Sequence, residues 1–165
     1  MNSSLFDRLQ SPATMIEAEI ELLALGADAI PVLESLFSGA ARNQFGVPYR
    51  QLGLPLRCAI EVASRLGVAA RPLEPYLRAE VGRGGSAAAM ALRSFGALDE
   101  ETVSELANAL HGDFDLAYEA AVTLVNCGAA NHPAVVARLS ESERAMVVFA
   151  RASSFHERRR LTPES

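Results

Sequence analysis

Apolar residues fall on helical spacing along most of the chain, and four apolar stretches close in the same way: Leu25-Gly26, Leu66-Gly67, Phe95-Gly96 and Cys127-Gly128. Glycine just past a helix accepts the left-handed backbone that closes a last turn. Eight residues before each Gly stands an alanine: Ala18, Ala59, Ala88 and Ala120. Four before it stand Leu22, Ala63, Leu92 and Leu124. Positions −1, −4 and −8 share one helical face, and an Ala on that face lets a neighbouring helix come close. Five residues after each Gly stand Pro31, Pro72, Glu101 and Pro133. Proline is favoured in a first turn, where its missing N–H would be unpaired anyway. Leu36, Leu77 and Leu106 follow at +10, with Arg138 and then Leu139 in the fourth unit. Runs rich in Val, Ile, Thr and aromatics, which would signal strands, are missing.

The pattern predicts helices over about 12–25, 29–38, 54–66, 70–81, 85–95, 99–110, 114–127, 132–139 and 141–152. Ser11 is the expected cap of the first, with Pro12 in its first turn; Ser140 with Glu143 reads as a capping box. Each unit is then a helix, a loop, a second helix, a Gly and a sharp turn. The glycines lie 41, 29 and 32 residues apart.

On these residues the chain resembles the HEAT-repeat family of armadillo-like α-solenoids. Ala29-Ile30-Pro31-Val32-Leu33 and Arg71-Pro72-Leu73 match first helices. Leu56-Arg57-Cys58-Ala59-Ile60-Glu61-Val62-Ala63-Ser64-Arg65-Leu66-Gly67 matches a second helix. The likeness covers roughly residues 11–152. It implies an all-α fold, a short right-handed α-solenoid of stacked antiparallel helix pairs. One domain over 1–152 is expected, followed by a basic C-terminal tail, 153–165, either helical or frayed. In such a solenoid the second helices usually line the concave side.

Composition agrees with a folded chain. Half of the 165 residues are apolar, Ala and Leu dominate, and Trp is absent. All fifteen basic residues are Arg, the composition expected of a GC-rich bacterial source. Cys58 and Cys127 each sit among small residues of a helical segment, as buried thiols would; a disulfide is the other reading. The N-terminus lacks a basic segment followed by an apolar core. No apolar run approaches the ~20 residues that span a bilayer. A cytoplasmic protein is the expectation.

The net charge of −5 counts against nucleic acid and anionic membranes as main partners. The charge is also segregated. Residues 1–40 carry six acids and one Arg, and residues 41–95 eight Arg and three acids. Residues 96–143 carry nine acids and one Arg, and residues 144–165 five Arg and two acids. Such zones either attract adjacent repeats to each other or match a partner's pattern.

The long segment Ser38–Gly53 sets Phe45 and Tyr49 beside Arg42, Asn43 and Arg50, and Tyr and Arg are enriched at binding hot spots. Its alternative is a loop that folds back, with Phe45 and Tyr49 plugging a gap between helices. His111-Gly112-Asp113-Phe114-Asp115 has the spacing for a divalent metal, yet Asp113 there is also a natural helix cap, with Asp115 favouring the helix dipole. Arg83-Gly84-Gly85-Ser86 lacks the spacing and Lys of a phosphate loop and reads as a turn. HEAT-like metal oxygenases carry repeated His-Glu pairs; here His156-Glu157 occurs once, in the tail.

The expectation is therefore a non-enzymatic protein-binding module without cofactor or metal. Its most specific form is an immunity or antitoxin-type protein that covers a cognate toxin, a basic protein domain. The Gln44-Phe45-Gly46-Val47-Pro48-Tyr49 loop resembles that of small HEAT-like immunity proteins. Partner contacts are expected at Arg42, Asn43, Phe45, Tyr49, Arg50, Arg57, Glu61, Arg65, Arg93, Asp113, Asp115, Tyr118 and Glu119. The alternatives are nucleic-acid binding through the Arg-rich 42–93 region and a HEAT-like enzyme subunit.

Overall fold

A computed structural model describes residues 3–161, and side chains over 5–159. Among the described residues the fold is all-α. The helices are α1 (Ser3–Arg8), α2 (Met15–Ala24), α3 (Ala29–Phe37), α4 (Gly53–Leu66) and α5 (Glu74–Gly82). They continue with α6 (Ser86–Leu92), α7 (Glu100–Ala109), α8 (Phe114–Asn126), α9 (Pro133–Ser140) and α10 (Glu143–Leu161). The chain divides into two compact units, Met1–Tyr76 and Leu77–Ser165.

The four glycines share one backbone feature. Gly26, Gly67, Gly96 and Gly128 all have positive φ. Gly67 (φ 60°, ψ −133°) and Gly96 (φ 79°, ψ −133°) do not adopt the left-handed helical turn expected of them. They occupy the mirror image of the extended region, which a Cβ excludes more strongly. The four aligned alanines are fully buried, as are Leu22, Ala63, Leu92 and Leu124. The −1 position is less regular: Phe95 is buried, whereas Leu25 is exposed.

In the first unit α4 packs against α2 and α3. Ala59 and Ala63 on α4, with Ala18 on α2, keep the facing surfaces flat enough for this approach. In the second unit α8 is the central helix, packed against α6, α7 and α10. Its buried Ala117, Ala120 and Ala121 face neighbours that include Ala88, Ala89 and Ala91 of α6.

Three expectations are corrected. Ser11 does not start a helix: residues 11–14 form turns, and the Thr14 hydroxyl donates to the Arg8 carbonyl at 2.7 Å. The chain is held there by α1, which short range and weak periodicity concealed. The helix expected from residue 70 begins at Glu74, after a 3-10 stretch over Gly67–Leu73. Pro72 offers no N–H and disfavours α geometry at Arg71, so the regular helix starts beyond it. The capping box at Ser140 is absent, because Ser140 is the last residue of α9 and its hydroxyl donates to Ala137. Ser142 is the cap, accepting from the Ala145 N–H at 3.2 Å. Over the tail, for which a helical and a frayed form were both open, α10 continues as helix to Leu161; residues 162–165 lie outside the described residues.

Candidate functional site

The segment between α3 and α4 is a small, well-tied hairpin. Gly39 and Gly46 reverse the chain with positive φ. An isolated antiparallel bridge joins Arg42 to Pro48, and the Asn43 N–H donates to the Val47 carbonyl at 2.9 Å. The Asn43 side-chain oxygen accepts from the N–H groups of Phe45 and Val47, each at 3.0 Å. Asn is suited to this because its side chain imitates a backbone turn. Arg42 donates to the Gly46 carbonyl at 2.8 Å, clamping the turn from outside.

This scaffold points Phe45 into solvent. At 79 % exposure it is the most exposed large apolar side chain among the described residues. Arg42 is exposed beside it and Asn43 half-buried beneath it. Asn43 thus shapes the hairpin through its side-chain oxygen.

Tyr49 is a correction. Its side chain is fully buried, with its ring 5.2 Å from that of Phe6, and its hydroxyl donates to the Asp7 carboxylate at 2.6 Å. Burial, then the hydrogen bond and charge of Asp7, push its pKa up to about 12. The loop thus divides its two aromatics, one filling the core against α1 and one facing outward. Arg50 is half-buried, and its stem lies over Gly39, where a Cβ would come 3.1 Å from the Arg50 Cδ.

On α4, Arg57, Glu61 and Arg65 recur every four residues and are all exposed. They form a solvated stripe on the side opposite the buried Ala59, Val62 and Ala63. Cys58, next to this stripe, is buried and free. Burial, with the Glu19 carboxylate as hydrogen-bond acceptor, pushes its thiol up to about 12, which keeps it protonated and unreactive. Cys127 is half-buried and, among the described residues, in no disulfide.

The remaining residues belong to the second unit. Arg93 pairs with Glu119 and donates through Nε to the Thr123 hydroxyl at 3.4 Å. The pair holds α8 beside the end of α6 and leaves both side chains partly exposed. Asp113 is the N-cap of α8, accepting from the Leu116 N–H at 2.9 Å, with Asp115 exposed in the first turn. The cap reading of this segment therefore stands. Tyr118 is half-buried, its ring stacked on Phe114 at 6.2 Å. His132 caps α9 through Nδ1 and donates from Nε2 to Glu100 at 2.7 Å. Among the described residues no group of three or more His, Cys, Asp or Glu side chains could hold a metal ion, and no helix is long and apolar enough to cross a membrane.

One feature was missed from the sequence. Phe114, Glu143, Arg144, Val147, Val148 and Arg151 line an open groove of about 410 Å³ between the start of α8 and α10. The spacing of Arg144, Val147, Arg151 and Phe155 was a legible signal, since steps of three and four place them on one helical face.

The sites expected by sequence thus resolve into a surface hairpin tip with Phe45 and Arg42, an exposed stripe on α4, and side chains consumed by the fold. No family model matches the chain, and no curated protein or solved structure is significantly similar to it.

Proposed function

We propose that this chain is a non-enzymatic protein-binding module that presents Phe45 to a pocket on a protein partner. The observation that carries this reading is the outward aromatic on a hairpin fixed by its own hydrogen bonds. A large apolar side chain exposed in water has a transfer free energy of about 1.5–3 kcal/mol to gain on burial. Because the hairpin is already ordered, little conformational entropy opposes that gain. Arg42 beside the ring adds a hydrogen-bonding cation at the rim.

In the reading we favour, the helix pairs stack as a short right-handed HEAT-like α-solenoid, and the protein is a cytoplasmic bacterial immunity-type protein. The partner is then a basic toxin domain, covered sterically. The acidic residues around α7 and the start of α8, Asp99, Glu100, Glu101, Glu105, Asp113 and Asp115, supply complementary charge. Positive φ at all four repeat glycines and burial of all four repeat alanines support the solenoid reading.

The test is a photo-crosslinking residue at position 45, expressed in the source cell, with mass spectrometry of the product. The captured protein is then purified and its affinity measured against wild type and Phe45→Ala. A protein crosslink and an affinity at least tenfold weaker for Phe45→Ala, at unchanged melting temperature, is the expected result. Crosslinking to nucleic acid alone, or equal affinities, would refute the reading.

A further inference from the structure

We propose that this chain associates with itself head to tail, the acidic apolar face of α2 in one copy docking on the basic apolar face of α10 in another. The inference is independent of the role given to Phe45.

Two helices leave large apolar side chains in water together with charge of one sign. On α2, Ile16 and Ile20 are each 59 % exposed and lie one turn apart on the same face. Glu17 is exposed beside them, and Glu21, which follows at the next turn, is held by Arg8 of the same copy. Glu17 has no ion-pair partner among the described residues. The face is thus apolar in its middle and acidic along its edge.

On α10 the pattern is the inverse. Arg144, Val147, Arg151 and Phe155 follow at steps of three, four and four, so they form one stripe. Val147 and Phe155 are about half exposed (48 % and 46 %). Arg144, Arg151 and Glu143 line the groove together with Val147, Val148 and Phe114. Neither Arg144 nor Arg151 has an ion-pair partner among the described residues. An incoming helix needs apolar knobs one turn apart for the groove's apolar lining and a carboxylate for the arginines. Ile16, Ile20 and Glu17 provide that set.

The two faces differ, so the contact is heterologous: each copy offers one donor face and one acceptor face, and two copies joined by one contact still carry one unused face of each kind. The contact is also small. Ten-residue α2 is about 15 Å long, and a helix of that length on one groove falls short of the ~1,600 Å² of a standard interface. The dissociation constant is accordingly on the order of 100 μM, and added salt weakens the contact by screening the Glu17–Arg pairs.

Sedimentation equilibrium of the full chain between about 5 and 500 μM tests this. Wild type is expected to gain average mass steadily with concentration, less so at high salt. Ile20→Glu spoils the α2 face, and Arg151→Glu spoils the α10 face. Both positions are exposed, so the melting temperature checks that the fold is kept. Each variant alone is expected to stay monomeric. Mixed in equal amounts they are expected to form a dimer that grows no further, because Ile20→Glu retains an intact α10 and Arg151→Glu an intact α2. A wild type that remains monomeric at 500 μM overturns the proposal and leaves the basic face to a different acidic protein. Self-association by either variant alone, or a mixture that stays monomeric, overturns it as well.

Discussion

Two threonines of the second unit are both fully buried, and the same substitution should move stability in opposite directions at the two sites. Thr123 on α8 donates its hydroxyl to the Ala89 carbonyl of α6 at 2.6 Å and accepts from Arg93 Nε at 3.4 Å. Thr102 on α7 is as buried, yet its hydroxyl has no hydrogen-bond partner among the described residues. Valine keeps the branched shape and replaces the hydroxyl by a methyl group. Thr123→Val removes a buried bond between two helices and takes a partner from a guanidinium, a loss of about 1–3 kcal/mol. Thr102→Val removes an orphan whose desolvation is uncompensated, so it should be neutral or gain up to about 1 kcal/mol. Urea unfolding followed by far-UV circular dichroism measures both. The midpoints should separate, with unchanged slopes, by an amount worth about 1–4 kcal/mol. If the two variants shift together, or Thr102→Val loses more, hydrogen bonding is not what distinguishes the sites and the reasoning fails.

Alkaline stability gives a second check. The neutral Tyr49 phenol is favoured in the fold, where its pKa rises to about 12 from 10.0. Its contribution is therefore complete below pH 10 and disappears as pH climbs through about 12. Because the chain has no Lys, few other groups titrate in that window. Thermal melts from pH 9 to 12 should fall more steeply for wild type than for Tyr49→Phe, which itself costs about 1 kcal/mol at pH 7. Gly96→Ala should lose about 1–3 kcal/mol by strain alone, since no atom lies within 4 Å of the added Cβ; a melting temperature within 1 °C of wild type would count against it. Cys58 should react with a thiol reagent at pH 8 at the rate of local unfolding, and reagent concentration should not accelerate it.

Local rules wrote most of the secondary structure into the chain. Helix spacing, prolines in first turns and glycines at reversals act within a few residues, so α3, α4, α7, α8 and α9 were legible to within one or two positions. The seam of alanines was legible for the same reason, because a small residue recurring on one face has a single steric meaning. Partner choice across the sequence was not. Tyr49 looks like a surface aromatic until Phe6 and Asp7, 42 residues away for its hydroxyl, enclose it. Arg93 and Glu119 look like free charges until packing of α8 beside α6 brings them together. Charge and aromaticity are properties of a residue, whereas exposure belongs to its neighbours, and only the packed chain determines which neighbours those are.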